Sequence, residues 1–378
     1  MIITTTHPSI DAFTAADWNR LFPRELEDHA YLRAIEHAGL AGFRYLYFAV
    51  HDGGRLLAAA PAFVTDYRLD TTMDGGLRRV AAALARVFPR WLRIPMLALG
   101  SPVTERCQPG FAPDATAAER ITALDAILGR METVAAAEQL GMVAVKDAAA
   151  DEPAWRTVCP NHGLRALPGL PGATLDIPWR DVDGYLATLG AATRKDLRRK
   201  RRAGAKLHIE WRRDLAGITE DVQRLYRQTL AHAQFSFEEL TPAYFGNVLA
   251  AMPGRAYCVT YTEGGQLLAF NLLLRGQNRL LDKFLGMDYT AMDRYHFYHV
   301  SWLENVRYCI EHGIGVYASG QGLQHEKVRL GSTLHANNLW YRHRNPFVDG
   351  VFARFDRLAR MDRLDAAPSL PQQHLRHG

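Results

Sequence analysis

The sequence predicts a mixed α/β (α+β) fold in which one unit occurs twice in tandem, each copy with a mixed, mostly antiparallel sheet. Strand-like and helix-like patterns follow one another in a similar order in both halves. The clearest match is a hairpin motif, DGGRLLA at 52–58 and EGGQLLA at 263–269, separated by 211 residues. A chain of 378 residues is also too long for one ordinary core. A duplicated unit accounts for all of these observations.

The first half is predicted to extend to residue 172. A helical pattern comes first and ends at Gly39, because glycine accepts the left-handed conformation of a helix end. Two strand patterns then flank the Gly53-Gly54 turn, which is typical of a hairpin. The predicted elements are a helix at 26–38, strands at 44–51 and 55–64, helices at 77–87 and 116–139, and a strand at 142–146. The segment 151–172, rich in proline and glycine, has the composition of a connector.

The second half, residues 173–365, repeats this plan. A strand leads into a helix that begins near Asp181 or Asp183, since an aspartate can cap the first turn. The remaining elements are predicted as a basic helix at 193–202, a strand at 207–212, helices at 219–233 and 241–252, strands at 255–262, 266–275 and 279–287, a helix at 294–312, and a strand at 315–319. Residues 366–378, rich in Pro, Gln and His, are expected to form a flexible tail.

Positive charge is concentrated in one element. The segment 194–206 contains eight basic residues and one acid, a net +7, which leaves −2 for the rest of a chain of net +5. Arginines three or four positions apart share a helix face, and guanidinium groups match phosphate oxygens. We therefore expect a phosphate-binding helix, for tRNA or for a nucleotide-linked substrate, with a solvated surface helix as the alternative. The candidate residues are Arg194, Arg198, Arg199, Arg201 and Arg202.

Several classes of protein are excluded or disfavoured. The four cysteines, Cys107, Cys159, Cys258 and Cys309, fit neither a disulfide framework nor a zinc site, and the histidines show no metal-binding spacing. We expect no metal and no tightly bound cofactor. The start of the chain does not have the pattern of a signal peptide, and no run of about 18 apolar residues predicts a membrane span. A cytoplasmic location is the resulting expectation, while the oligomeric state stays open.

Three segments resemble a known family. HAYLRAIEHAG at 29–39 is similar to the opening helix of GNAT-like proteins of peptidoglycan biosynthesis and recognition. TRKDLRRKRR at 193–202 resembles the Arg-rich helix of Fem-like acetyltransferase domains, and SGQGLQHEKVRLG at 319–331 resembles the Gly-rich turn and lysine that follow their last core strand. The order of strand, two helices, three meander strands, helix and strand is also that of GNAT domains. The resemblance covers about residues 20–350 and implies a tandem GNAT-like, Fem-type acyltransferase.

The resemblance also implies where the chemistry lies. Lys327 matches the lysine that Fem-type transferases place near the reacting carbonyl, where it would stabilise the developing oxyanion. Glu326 or His325 would take the proton from the attacking amine, although the extra residues between Gly322 and Lys327 leave that alignment open by one position. Asp282 is a further candidate base, because a mid-strand carboxylate must be solvated, paired or catalytic. Gln321, Arg329 and Tyr289 are the other candidate substrate-binding or phosphate-binding residues.

The acyl donor is predicted from a missing motif. GNAT enzymes that use coenzyme A usually have a Gly-rich loop after the third core strand, whose N–H groups hold the pyrophosphate. Here the chain reads MDYTAMDRYH at 287–296, with no glycine and two aspartates. We therefore expect aminoacyl-tRNA rather than acyl-CoA as the donor, and an amine of a small molecule or peptide as the acceptor. The alternatives are a CoA-dependent N-acyltransferase and a non-catalytic module that recognises RNA or cell-wall precursors.

Overall fold

Two sheets organise the chain in the computed structural model, which describes residues 1–68, 93–233, 237–350 and 352–354. The predicted helix at 77–87 and the predicted tail at 366–378 lie outside these residues. The elements up to residue 168 are β1 (Ile2–His7), α1 (Ala15–Leu21), α2 (His29–His37), β2 (Phe43–Asp52), β3 (Arg55–Arg68), β4 (Arg93–Leu99), β5 (Gly110–Phe111), α3 (Ala117–Ala137), β6 (Met142–Ala149), α4 (Pro153–Asn161) and β7 (Arg165–Pro168).

The second half supplies the remaining elements. They are β8 (Gly172–Asp176), α5 (Val182–Thr188), α6 (Ala191–Ala203), β9 (His208–Arg212), α7 (Thr219–His232), α8 (Pro242–Ala251), β10 (Ala256–Glu263), β11 (Gln266–Arg275), β12 (Arg279–Met287), α9 (Met292–Tyr295), α10 (Phe297–Glu311), β13 (Val316–Gly320), α11 (Gln324–Arg329), β14 (Thr333–His335) and β15 (Asn337–His343). The predicted helix at 294–312 is thus two helices, because His296 adopts a left-handed conformation between them.

The duplication is confirmed by the pairing of the strands. In the first sheet β1, β2, β3 and β4 form an antiparallel meander, and β4 then pairs in parallel with β6. In the second sheet β9, β10, β11 and β12 form the same meander, and β12 pairs in parallel with β13. Even the irregularity beside the hairpin recurs, at Val50/His51 in one copy and at Tyr261/Thr262 in the other. These two positions are again 211 residues apart.

One strand of the second half crosses to the first sheet. β8, the first strand of the second half, lies in the second sheet between β13 and β14. β15, which follows β14, lies in the first sheet between β6 and β7. The division of the chain near residue 172 stays a prediction, but residues 337–343 were expected with the second half and pair within the first sheet. The first sheet therefore depends on backbone hydrogen bonds from the second half of the chain, whereas the strands of the second sheet all belong to the second half.

Polar and apolar contacts join the halves. One hydrophobic cluster contains Phe48 and Leu97 of the first sheet together with Phe270 and Leu281 of the second. Helix α2 lies against α8, where the hydroxyl groups of Tyr31 and Tyr244 are 2.8 Å apart. Asp28, which caps α2 by accepting from the N–H groups of residues 30 and 31, also pairs with Arg255 at 2.7 Å. The halves therefore share one core, and residues of both approach the same site.

Candidate active site

The candidate site surrounds the point at which β12 and β13 separate. The two strands pair only from Arg279↔Val316 to Leu281↔Ala318, although β12 continues to Met287. We call the opening beyond this pairing the β12–β13 gap, bounded by residues 282–285 and 319–321. Because the backbone groups on this side of β12 have no partner strand there, the opening is a place for an extended ligand.

A bulge in β12 sets the direction of two side chains at the gap. Asp282 pairs with Leu273 of β11 and Phe284 pairs with Leu272, so Lys283 is an extra residue between them. Simple strand alternation would place Asp282 and Phe284 on one face, but the bulge shifts the alternation by one residue and puts them on opposite faces. Bulges re-aim side chains and are common next to active sites. Asp282 therefore points towards α10, while Lys283 points towards the first half.

Asp282 is held in a buried polar cluster. Its carboxylate accepts from the hydroxyl of Tyr317 at 2.7 Å, from the amide of Asn271 at 2.7 Å and from the amide of Asn305 at 3.2 Å. Burial raises the pKa of this carboxyl to about 6, and the hydrogen bonds from Tyr317 and Asn271 oppose the rise. The Tyr298 hydroxyl, whose charge would also interact with Asp282, is buried without a partner among the described residues. Asp282 is thus a carboxylate able to exchange a proton near neutral pH.

Lys327 lies in α11 with its ammonium turned inward. The residue is 3% exposed, and Nζ donates to the carbonyl oxygens of Ser319 at 2.6 Å, Gly320 at 2.8 Å and Gln321 at 3.1 Å. Burial lowers the pKa of Lys327, and the negative charges of Glu105 and Asp282 oppose that effect. All three ammonium hydrogens are therefore used to hold the turn that forms one wall of the gap.

Glu326 belongs to a ring of charged side chains that joins three helices. Its carboxylate contacts His299 Nε2 at 2.6 Å on α10 and pairs with Arg329 on its own helix. Lys200 of α6 is 3.0 Å from the same His299 nitrogen, and Asp196 pairs with Lys200 at 2.7 Å and with Arg329 at 3.4 Å. Burial by itself raises the pKa of Glu326, but Arg329 and His299 outweigh it and the net pKa is lowered. His325, the neighbouring candidate, is exposed to solvent.

The basic helix α6 divides its charges between three directions. Two of the residues, Asp196 and Lys200, belong to the ring with α10 and α11. Arg199 lies beside the ring, between Asp196 and His296. Arg194 donates to carbonyl groups of residues 187 and 189, and Arg201 is 3.4 Å from Asp183. The side chains opposite the buried face, which we call the outer basic face, are exposed and have no ion-pair partner in the described residues; they are Lys195, Arg198 and Arg202. Only part of the predicted arginine set is therefore available to a phosphate ligand.

The backbone N–H groups at and just after the end of β12 donate to side chains of α7 and of the turn itself. Thr229 accepts from the N–H of Met287, Gln228 accepts from that of Tyr289, and Asp288 accepts from that of Thr290. The Tyr289 ring stacks on His232 at a centroid distance of 3.8 Å. Donors that hold a pyrophosphate in a Gly-rich loop are therefore already occupied here, and Asp288 adds a negative charge.

Sequence reasoning missed several residues of the site. Asn271 and Asn305 are wholly buried in apolar segments, and a polar residue in such a run is a signal for a buried network. Lys283 is a mid-strand lysine whose side chain is 3% exposed, and it is paired with Glu27 of the first half. Burial lowers its pKa, but Glu27 outweighs this and the net pKa is raised. No sequence pattern indicated Glu105, which lies in an irregular loop of the other half.

Together these observations define a tandem GNAT-like protein with its candidate site in the second copy. In the described residues no helix combines the length and apolar character that a membrane span requires. Among those residues, too, no three His, Cys, Asp or Glu side chains are grouped as metal ligands.

The chain belongs to the FemAB-like family of peptidoglycan biosynthesis/recognition, whose family model matches residues 115–367. No curated protein matches it in sequence. Among solved structures it is similar to FemX, with 13% identity, a TM-score of 0.59, and coverage of 92% of this chain and 99% of FemX. It is also similar to a tandem GNAT protein from the clavulanic acid biosynthesis pathway, with 11% identity, a TM-score of 0.54 and coverage of 91% and 98%. Both solved structures share the fold of this chain.

Proposed function

We propose that this protein forms amide bonds at the β12–β13 gap by transferring an aminoacyl group from aminoacyl-tRNA to a primary amine. The observation that supports this donor most directly is the turn at 287–290. Its N–H groups are engaged by Thr229, Gln228 and Asp288, so it offers no cradle for the pyrophosphate of coenzyme A. The outer basic face of α6, by contrast, is free to contact the phosphates of a nucleic acid.

The acceptor follows from the family. A FemAB-like protein of peptidoglycan biosynthesis/recognition is expected to act on an amine of a peptidoglycan precursor, either nucleotide-linked or as a free peptide. The amine attacks the ester carbonyl, the ribose oxygen leaves, and the positive charge on nitrogen is lost as a proton. Positioning of the two substrates and stabilisation of the oxyanion supply most of the acceleration in such a reaction.

Lys327 is the proposed oxyanion donor. Its longest hydrogen bond, to the Gln321 carbonyl at 3.1 Å, is the one that a substrate oxyanion would replace. The bonds to Ser319 and Gly320 would then keep the ammonium at the edge of the gap. Asp282, Glu326 and His325 remain candidate bases, and Gln321, Arg329 and Tyr289 remain candidate substrate contacts.

A transfer assay tests the function. The purified protein is incubated with total tRNA charged with radiolabelled amino acids, and with a UDP-linked muropeptide or the free peptide as acceptor. Parallel reactions contain radiolabelled acetyl-CoA. We expect label in the acceptor only with charged tRNA. Transfer from acetyl-CoA would reverse the choice of donor, and binding of RNA or muropeptide without transfer from either donor would favour the recognition module.

The contribution of α6 is tested by reversing two charges. Arg198→Glu with Arg202→Glu should weaken binding of uncharged tRNA and flatten its salt dependence, because fewer counterions are released; two lost contacts lower the log–log slope by up to about 2. The matched control is Arg20→Glu with Arg156→Glu, which changes the net charge equally at exposed residues far from α6 in sequence. Equal losses in both variants, or an unchanged slope in the first, would make α6 only a solvated surface.

A further inference from the structure

We propose that Glu105, a residue of the first half, is the proton acceptor of the β12–β13 gap in the second half. This inference rests on the proposed amide-forming function and names the base that the sequence left open. Glu105 lies in the loop after β4, and its carboxylate is packed directly on Gly320 at the end of β13. A Cβ atom at Gly320 would overlap the carboxylate oxygens. Gly320, at a φ of +77°, is therefore a glycine both for its conformation and for the space that Glu105 occupies.

The loop that carries Glu105 fills the equivalent opening of the first copy before it reaches the second half. There β4 and β6 pair as far as Leu99↔Val145 and then separate, as β12 and β13 do. The N–H of Cys107 donates to the carbonyl of Asp147 at 3.0 Å, and Cys107 forms an isolated parallel bridge with Ala148. The chain itself thus occupies the place that a ligand would take in the first copy. Only the second copy keeps its opening for a substrate.

Three hydrogen bonds fix the loop against the second half. Lys283, the bulged residue of β12, donates to the carbonyl of Val103 at 2.8 Å, and its ammonium is paired with Glu27. The carbonyl of Glu105 accepts from the side chains of Gln321 at 3.2 Å and Asn337 at 3.3 Å. The loop is thus anchored on both sides of Glu105, and the carboxylate packed on Gly320 is held at the gap.

Glu105 has more free acceptor capacity than the candidate bases Asp282 and Glu326. Asp282 accepts three side-chain hydrogen bonds, and Glu326 is engaged by His299 and Arg329. Among the described residues, no side chain donates a hydrogen bond to the carboxylate of Glu105. A base needs a lone pair open towards the proton it removes. Burial also raises the pKa of Glu105, against the lowering effect of Lys283, which brings the carboxyl closer to the working range of a base.

The proposed step balances in protons and charge. The Glu105 carboxylate removes a proton from the acceptor ammonium, and the neutral amine attacks the carbonyl carbon of the aminoacyl ester. The attack forms the C–N bond of a tetrahedral intermediate, whose nitrogen then loses one proton to water. The intermediate collapses as the C–O bond to ribose breaks, and protonated Glu105 gives its proton to the departing ribose oxygen. The ester and the ammonium are thus converted to an amide, an alcohol and one proton released to water.

The test replaces the carboxylate without changing its shape. In the transfer assay, Glu105→Gln should lower kcat roughly 10²- to 10⁴-fold, the usual range for general base catalysis, and should abolish the acid limb of the pH profile of kcat/KM. Glu105→Asp should keep part of the activity. Glu220→Gln, at an exposed position of α7, is the matched control and should leave kcat unchanged.

Thermal stability separates catalysis from structure. Since the pKa of Glu105 is raised in the folded protein, its charged form costs stability at neutral pH, and Glu105→Gln should raise the Tm at pH 7.5 or leave it unchanged. Loss of activity with a lowered Tm, or full activity with an unchanged pH profile, would overturn the proposal. If the wild-type protein transfers no label from any donor, the proposed function fails and Tm decides. A raised Tm of Glu105→Gln would then support a buried Glu105 carboxylate that costs stability. An unchanged or lowered Tm would overturn the proposal.

Discussion

Lys327 links the chemistry of the site to the shape of its turn. The ammonium is buried and donates to three consecutive carbonyl groups, of Ser319, Gly320 and Gln321. A lysine in this arrangement fixes the carbonyl dipoles and at the same time places a positive charge beside the gap. Its role is therefore measurable in two ways, by turnover and by the stability of the turn.

Replacement of Lys327 by methionine should lower kcat roughly 10²- to 10³-fold with little change in the affinity for tRNA, because the charge acts where the oxyanion develops. Lys327→Met keeps the apolar stem, and Lys327→Arg serves as the charge-preserving comparison. Circular dichroism at the assay temperature shows whether each variant is folded. Full turnover of Lys327→Met at saturating substrate would remove the turn as the catalytic centre, and Asp282 would become the next candidate.

His299 has one ring nitrogen between two unlike charges. Nε2 is 2.6 Å from Glu326 and 3.0 Å from Lys200, and a single nitrogen cannot donate to the carboxylate and accept from the ammonium at once. Burial lowers the pKa of His299, and the positive charge of Lys200 adds to this, whereas the contact with Glu326 opposes it. The neutral imidazole is therefore favoured in the folded protein.

This pKa shift predicts a pH dependence of stability. A histidine with a lowered folded-state pKa contributes stability above its ordinary pKa, near 6.5, and loses it as the pH falls through that range. Between pH 7.5 and pH 5.5 the wild-type protein should lose more unfolding free energy than His299→Gln, as measured by urea denaturation at both values. Parallel losses in the two proteins would show that other groups dominate this range.

At the scale of elements, α6 is fixed to α10 by a close approach at its C-terminal end. A Cβ atom at Gly204 would lie 2.5 Å from Cγ2 of Val300, which is buried in α10. The charged ring of Asp196, Lys200 and His299 lies on the same side of α6. Packing and charge together hold the outer basic face at a fixed distance from the turn that contains Lys327.

Gly204→Ala should therefore destabilise the protein by about 1–3 kcal/mol, the usual cost of overpacking, in urea unfolding. Val300→Ala in the same protein should recover part of this loss because it removes the opposing methyl groups. Gly246→Ala in α8 is the matched control: no atom lies within 4 Å of the added Cβ, so this substitution should be neutral or stabilising by up to about 1 kcal/mol. Equal effects of the two glycine substitutions would contradict the close approach.

At the scale of the whole molecule, β15 makes the first sheet dependent on the second half of the chain. It is paired there on both sides, with β6 and with β7. A first half produced without β15 would leave unpaired backbone groups along both β6 and β7. We therefore expect the first half to fold only together with the second, in spite of the internal repeat.

Fragment 1–171 should fail to fold when produced alone, with poor solubility and a broad, non-cooperative thermal transition. Produced together with fragment 172–378 it should assemble, since β15 then pairs with β6 and β7. Size-exclusion chromatography and circular dichroism measure both outcomes. A fragment 1–171 that melts cooperatively by itself would show that β15 is dispensable to the first sheet.

Local signals were sufficient to predict the repeated unit. The Gly-Gly turns at 53–54 and 264–265, the helix that ends before Gly39, and the basic helix α6 all depend on residues close together in the chain. Hairpin and capping preferences arise from backbone conformation and neighbouring side chains, so they can be read directly from the order of residues. The order of these elements along the chain then predicted the tandem fold and the family.

Tertiary structure decided which side chains meet. The bulge at Lys283, the crossing of β15 to the first sheet, and the approach of Glu105 to Gly320 all depend on contacts between separate elements. The bulge depends on the register of two strands, and the crossing depends on which sheet accepts the strand, so neither leaves a local pattern. The sequence by itself therefore determined the elements and their repetition, whereas packing between the halves decided which acids and bases surround the gap.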